Sequence, residues 1–311
     1  MKIRVLIVCS ANSGRIMPFV TEQGNELIKK NVEVDYFPIV GKGLIGYLKN
    51  LRLLKKKINS ERFDLIHAHF GLSGALAILQ FNIPVIITFH NGETLTIKGN
   101  IISSFASLFS AYNIYVAQHI YNLVYFKRKS KYAILPCGIN LNEIVILPKN
   151  DAKIRLNLPD DKINILFGGN FTNLRKNYAL AKRAIELMNL NNINLIELKG
   201  FTREQVTNLL CGCDLLFLPT KSEGSPQIIK EAMACNCPIV ATDVADIKEI
   251  IGGIDGCYVS NFDPNNVAVN LKNAIEFNSR TCGREIMERY NNETIVKQLI
   301  EIYKSVLISK N

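Results

Sequence analysis

Short apolar runs such as Ile163–Phe167 and Leu215–Leu218 alternate along the chain with longer stretches in which apolar side chains return every three or four positions. The runs suit buried strands, the longer stretches suit amphipathic helices, and the alternation suits repeated βα units around a parallel sheet. In the first half the pattern predicts strands over residues 4–9, 33–38, 65–68, 85–89, 114–117 and 132–135, with helices over 18–30, 44–58, 73–81, 101–109 and 119–126. The segment Pro136-Cys137-Gly138-Ile139-Asn140 and the polar stretch 149–161 carry turn punctuation and mark a linker. The alternation then restarts, with strands expected over 163–167, 195–198, 215–218, 238–241 and 256–259 and helices over 178–188, 203–210, 226–234, 264–277 and 293–308.

The expected fold is therefore α/β, with two doubly wound, Rossmann-like domains facing a central cleft. Residues 1–140 form the first domain, 141–290 the second, and 291–311 a C-terminal helix able to pack back on the first. Such sheets bind ligands beyond the carboxyl ends of their strands, which places the expected ligand in that cleft. Neither half opens with a G-x-G-x-x-G fingerprint after its first strand, which argues against a nicotinamide-dependent oxidoreductase.

Composition adds three constraints. In a chain of 311 residues that is 48% apolar, each half can bury its own core. No stretch reaches the roughly 18 to 20 uncharged apolar residues that span a bilayer, and the first predicted strand begins close to the start, so a cytoplasmic protein is expected. The net charge of +10 is lopsided: residues 1–140 hold 17 Lys and Arg against 7 Asp and Glu, while residues 141–311 hold 20 against 20. The first half is thus expected to meet something anionic, such as the inner face of a membrane, a lipid-linked phosphate or nucleic acid, although no nucleic-acid motif is present. Over 44–58, Leu44, Leu48, Leu51, Leu54 and Ile58 fall on one helical face and Lys49, Arg52 and Lys56 on another, as in a basic amphipathic helix. Eight cysteines are scattered, and Cys211-x-Cys213 and Cys235-x-Cys237 are too closely spaced for a usual zinc site, so reduced, buried thiols are expected.

The richest chemistry lies in Lys221-Ser222-Glu223-Gly224-Ser225-Pro226-Gln227-Ile228-Ile229-Lys230-Glu231-Ala232-Met233-Ala234. Ser225 suits an N-cap and Pro226 a first helical residue, so a helix is expected to start here with its N–H groups and positive dipole end open to phosphate. Along one continuous helix Glu223 and Glu231 would stand about 12 Å apart, too far for a hydrolytic pair, whereas a turn at Gly224 lets both reach one ligand. After the strand 163–167, Gly168-Gly169-Asn170 permits close backbone approach, and Arg175-Lys176 offers positive charge to phosphate oxygens. Gly14, in Ser10-Ala11-Asn12-Ser13-Gly14-Arg15, sits in the turn after the first strand.

The string from Glu223 to Glu231 resembles the E-x7-E motif of family 4, or group 1, of the retaining glycosyltransferases with the GT-B fold. Asp64-Leu65-Ile66-His67-Ala68-His69-Phe70, Ile87-Thr88-Phe89-His90-Asn91-Gly92, Leu135-Pro136-Cys137-Gly138-Ile139-Asn140 and Asp214 to Thr220 are similar to further segments of that family, so the resemblance spans nearly the whole chain. It implies that Glu231 binds the donor's ribose and that Glu223 and His90 act beside the transferred sugar. Gly14, Asn170, Arg175, Lys176, Gly224, Ser225, Gln227 and Ile228 would line the donor site. The chain departs from many relatives in carrying Asn170 where they have Arg, in Pro226, and in lacking a G-x-G-P turn over 192–203.

A nucleotide diphosphate sugar, most naturally a UDP-sugar, is the implied donor, with no cofactor and no metal, and no D-x-D motif stands out. A glycan or polyprenyl-linked acceptor in cell-surface polysaccharide synthesis is the implied partner. A nucleotide-sugar epimerase and a non-catalytic GT-B-like subunit are the rival readings.

Overall fold

The computed structural model describes residues 2–309. They form two compact units, one comprising the chain up to Gly138 together with the chain from Tyr290 onward, the other Ile139–Arg289. The first unit begins β1 (Arg4–Ser10), α1 (Pro18–Lys29), β2 (Glu33–Ile39), α2 (Gly43–Leu48), α3 (Leu51–Ser60), β3 (Leu65–His69) and α4 (Gly71–Ala77). It continues β4 (Val85–Phe89), α5 (Ile97–Phe109), β5 (Tyr112–Tyr115), α6 (Gln118–Leu123) and β6 (Tyr132–Ile134). The second unit holds α7 (Lys149–Leu156), β7 (Ile163–Phe167), α8 (Tyr178–Met188), β8 (Ile193–Glu197), α9 (Arg203–Gly212), β9 (Leu215–Leu218) and α10 (Gln227–Ala234). It ends with β10 (Ile239–Thr242), α11 (Ile247–Ile251), β11 (Cys257–Ser260), α12 (Pro264–Phe277) and α13 (Gly283–Ile286), after which α14 (Asn292–Ile308) returns to the first unit.

Each unit is built on one all-parallel sheet, ordered β2-β1-β3-β4-β5-β6 in the first and β11-β10-β9-β7-β8 in the second. Alternate residues of β1 serve opposite faces, as the pleat requires. Leu6 and Val8 pack with Leu54 of α3 and Leu76 of α4. Val5, Ile7 and Cys9 pack with Leu27 of α1 and with Ile295, Leu299 and Tyr303 of α14. The core of the second unit joins Ile165 and Phe167 to Ala181 of α8 and Leu271 of α12. No helix among the described residues is long and apolar enough to cross a membrane.

In the first sheet the chain runs from β1 to β2 on one side and resumes at β3 on the other, which puts a topological switch point between β1 and β3. The second sheet has its switch point between β7 and β9. Beyond the carboxyl ends of these strand pairs neighbouring loops diverge and leave room for a ligand.

Several elements differ from expectation: α11 and α13 have no counterpart in the pattern, α5 begins at Ile97 and β8 at Ile193, and three further differences have a visible cause. The helix over 44–58 is two helices, because Asn50 Nδ2 donates to the carbonyls of Gly46 (2.8 Å) and Val40 (3.1 Å) and so competes with helix continuation. Leu54 and Ile58 turn into the core while Leu44 and Leu48 stay exposed, so the five apolar residues do not share one face. The fifth strand starts at Tyr112 and not at 114, with buried Asn113 held by Ser110 Oγ and the Ser107 carbonyl. The polar stretch 149–161 contains α7, which has Asp151 in its first turn, Lys153 and Arg155 in its last, and Asn157 in the left-handed region at its end.

Candidate functional site

The switch point of the second unit is formed by the loops that follow β7 and β9. After β7 the chain passes Gly168 and Gly169 and reaches a 3-10 turn, Leu174–Lys176. A Cβ on Gly169 would stand 2.5 Å from Lys176 Cγ, so the absent side chain is what lets the lysine stem lie over the backbone. Lys176 Nζ then meets Glu223 Oε1 at 2.6 Å, with only 14% and 10% of the two side chains exposed. Thr220 Oγ1 donates to the same Glu223 oxygen at 2.9 Å. The two loops are stitched together by backbone: Lys221 N donates to the Arg175 carbonyl at 2.8 Å. A further bond runs from Thr242 Oγ1, at the end of β10, to the Thr220 carbonyl at 2.5 Å.

Glu231 lies on α10 beyond this pair. Burial pushes its carboxyl above the usual carboxylate range, and the Arg203 guanidinium, 3.9 Å away, pulls in the opposite direction. The expected start of α10 needs correction: Pro226 occupies the cap position with Gln227 as the first helical residue, and Ser225 Oγ instead donates to Asp246 Oδ2 at 2.5 Å. The first N–H groups of a helix have no intrahelical partner, so Gln227 and Ile228 still offer donors at this end. Gln227 Nε2 is buried without a hydrogen-bond partner among the described residues.

The remaining expected donor residues take different places. Gly224 lies in the loop between Glu223 and Ser225. Asn170 Oδ1 is committed locally, accepting from Thr172 N at 2.8 Å and Thr172 Oγ1 at 2.7 Å. The Arg175 side chain is exposed, and its carbonyl does the joining described above. Arg203, Asp246 and Thr220 escaped the sequence analysis. Thr202-x-x-Gln205 is a legible capping box that places Arg203 first on α9, but its closeness to Glu231 is tertiary.

A concavity of about 590 Å³ in this unit, lined by Pro148, Lys149, Asp214, Asn236 and Arg280, lies at the amino ends of β9 and β10, away from Glu223. Its position opposite the switch point makes it the weaker candidate despite its size.

In the first unit the loop after β1 turns at Gly14, which has φ +84 and open space where a Cβ would stand. The ends of β3 and β4 carry His67, His69 and His90. His67 is fully buried, bonded through Nδ1 to Tyr303 OH and through Nε2 to Thr88 Oγ1, both at 2.7 Å. His69 Nδ1 lies 3.0 Å from His90 Nε2, and His90 Nδ1 lies 3.6 Å from Cys137 Sγ. Both nitrogens of His90 therefore have protein partners, and its ring packs against Phe19 and Phe70, with centroids 4.8 and 4.6 Å away. Burial pushes His69 down to about 3 and holds His67 well below the usual histidine range, so both rings are neutral near pH 7.

Phe70 (φ 73, ψ 147) and Asn91 (φ 107, ψ −38), directly after β3 and next to the end of β4, occupy sparsely populated backbone regions. Such strain costs about 1–3 kcal/mol per residue and gathers at functional sites. Beside them a pocket of about 400 Å³, lined among others by Ser10, Asn12, Met17, Tyr47, Phe70 and Thr96, occupies the switch point of this sheet.

Two family models account for most of the chain: one described as Glycosyltransferase Family 4 matches residues 1–143, and one described as Glycosyl transferases group 1 matches residues 152–276. The chain belongs to the group 1, family 4 glycosyltransferases. An uncharacterized glycosyltransferase of Methanocaldococcus jannaschii is 28% identical over 94% of this chain and 89% of its own. The putative teichuronic acid biosynthesis glycosyltransferase TuaC of Bacillus subtilis is 26% identical over 61% of this chain and 55% of its own.

Among solved structures, sucrose-phosphate synthase of Thermosynechococcus elongatus superposes with a TM-score of 0.83 at 16% identity, covering 99% of this chain and all (100%) of that one. Anabaena HepE, solved with UDP and glucose, superposes with a TM-score of 0.74 at 14% identity, covering 97% of this chain and 100% of that one. These likenesses establish the GT-B fold of this glycosyltransferase. The E-x7-E pair, Glu223 and Glu231, is the part of the family pattern that the second unit brings to its switch point.

Proposed function

We propose that this glycosyltransferase takes a sugar from a nucleotide diphosphate donor, a UDP-sugar, and passes it with retention and without a metal to a glycan or polyprenyl-linked acceptor of a cell-surface polysaccharide. The observation that carries the reading is the ion pair of Lys176 with Glu223 at the switch point between β7 and β9. As the bond from the anomeric carbon to the diphosphate breaks, negative charge collects on the departing oxygens. Lys176, Arg175 and the N–H groups of Gln227 and Ile228 meet that charge. Glu223, held beside Lys176 by the bond from Lys221 N to the Arg175 carbonyl and by Thr220 Oγ1, faces the electron-poor sugar. Glu231 receives the ribose hydroxyls, and Ser225 fixes the loop through Asp246. HepE, which was solved with UDP and glucose, supports UDP as the nucleotide. TuaC supports a polysaccharide product.

A thermal-shift panel of UDP, GDP, ADP and their sugars tests the donor, because a ligand that binds the native state raises apparent stability by mass action. The reading expects UDP to give the largest shift, turnover to persist in EDTA and the product to keep the donor's anomeric configuration. A shift confined to another nucleotide, or activity that returns only with Mg2+ or Mn2+, would overturn the corresponding part.

A further inference from the structure

The pocket of the first unit has an apolar border. Tyr47 of α2 and Thr96 and Gly99 at the start of α5 line it, and beside them Leu44, Ile45 and Leu48 on one segment and Leu95 and Ile97 on the other stay exposed, Ile45 at 74% and Ile97 at 71%. Single exposed aliphatic residues are ordinary, but two such segments meeting at one pocket form a patch of the kind that marks an interaction site.

Charge singles out the partner. The chain carries no acidic residue between Asp35 and Glu61 and none between Glu93 and Glu143, and these two stretches, which supply the patch, hold six and five Lys and Arg. Lys42 and Lys49 flank α2, and Lys98 follows Ile97; all three are exposed. Exposed aliphatic side chains with Lys42, Lys49 and Lys98 beside them suit the interface of an anionic bilayer, where apolar groups sink to the acyl boundary and cations stay among headgroups. The break at Asn50 decides which residues take part: Leu54 and Ile58 face the core, so contact falls to α2 and the start of α5.

We propose that the first unit docks on an anionic bilayer through Leu44, Ile45, Leu48, Leu95 and Ile97, so that the pocket beside them opens at headgroup level to an acceptor carried in the membrane. The acceptor part of this inference rests on the glycosyltransferase reading above.

Co-sedimentation of the full chain with vesicles of phosphatidylglycerol and phosphatidylcholine, and with vesicles of phosphatidylcholine alone, tests it. The parent binds the mixed vesicles more tightly, and high salt weakens that binding. Ile45→Asp with Ile97→Asp lowers binding at least tenfold at both low and high salt. Lys42→Gln with Lys49→Gln lowers it by about fivefold for each charge removed, at low salt only. Calorimetric UDP affinity, expected to be the same in parent and variants, reports that the second unit is folded, and unchanged near-UV circular dichroism and melting temperature report the same of the first. Equal vesicle binding by parent and the Ile45/Ile97 variant, or no preference for anionic vesicles, overturns the docking. A parent that sediments with vesicles but binds no UDP upholds the docking and overturns the donor reading.

Discussion

Lys176 Nζ sits 2.6 Å from Glu223 Oε1, although the two residues come from different loops 47 positions apart. In the function proposed above, Lys176 is the cation for phosphate and Glu223 the carboxylate for the sugar, and the two hold each other. The pair keeps both charges largely buried, and on that proposal an incoming diphosphate would compete with Glu223 for the lysine. Removing one partner of a largely buried pair strands the other, at about 1–3 kcal/mol where some exposure remains. Lys176→Met and Glu223→Gln should each destabilise by that amount and lower turnover at least a hundredfold. The double variant should lose less stability than the sum, as coupled neighbours do. Urea unfolding of the four proteins reads this directly, and additive losses would show that the two side chains do not act as a pair.

Gly169→Ala should act through Lys176. The new Cβ would meet the Cγ, Cδ and Cε atoms of that lysine at 2.5 to 3.0 Å, and a flexible stem yields by swinging away. We expect a modest change in unfolding free energy together with a fall in turnover of about tenfold or more, since small misplacements of a charge-stabilising group are costly in the transition state. Parallel measurement of turnover and of the melting temperature checks it. A variant that melts like the parent and works like it would show that the lysine position is not critical.

Glu231, the proposed ribose ligand, carries a stability cost through its burial. Its folded carboxyl titrates above the unfolded one because burial disfavours the charged form, so between those two values the folded state binds more protons. Stability from this group is therefore present at low pH and is lost as pH rises through that window. Near pH 7 Glu231→Gln should melt higher than the parent and bind UDP about tenfold more weakly, as a charged hydrogen bond is lost. Melting curves and calorimetry together test the pair of outcomes. A variant that binds UDP as the parent does removes Glu231 from the ribose.

His69 makes the opposite prediction. Its folded ring stays neutral down to about 3, whereas an unfolded imidazole takes a proton near 6.5. Between those values the unfolded chain binds more protons, so the contribution is full above about pH 6.5 and falls as pH drops, by up to about 1.4 kcal/mol per pH unit. Chemical unfolding between about pH 4 and 7 should show this slope, flattened in His69→Asn. His67, buried in the same way, keeps part of the slope in that variant.

Continuous apolar runs were the legible part of the fold. β7, β9 and α8 begin and end where periodicity places them, because Ile163–Phe167 and Leu215–Leu218 have no polar residue to blur them except Asn164, and Tyr178–Met188 presents a regular apolar stripe. The pattern failed where one side chain overrode it: Asn50 reaches back to two carbonyls and splits a helix whose apolar spacing continues across the break. It failed again at α7, whose few apolar residues form no stripe, Ala152 being buried and Ile154 exposed, and which has complementary charges at its ends. At the site, the loop residues Lys176 and Glu223 could be named from sequence and their contact could not. Ser225 with Asp246 and Arg203 with Glu231 are separated by 21 and 28 positions, and only packing brings them together.

The return of α14 to the first unit has a consequence for synthesis. Tyr303, wholly buried and bonded to His67 at 2.7 Å, closes a core that also contains Val5, Ile7 and Leu27, all made long before it. The second unit is one unbroken segment, complete while α14 has yet to be translated. At about 5–20 residues per second, the ribosome leaves that face of the first sheet uncovered for on the order of ten to thirty seconds. The half made first is thus the half finished last, and the hazard of aggregation in a crowded cell falls on it and not on the segment that carries Glu223.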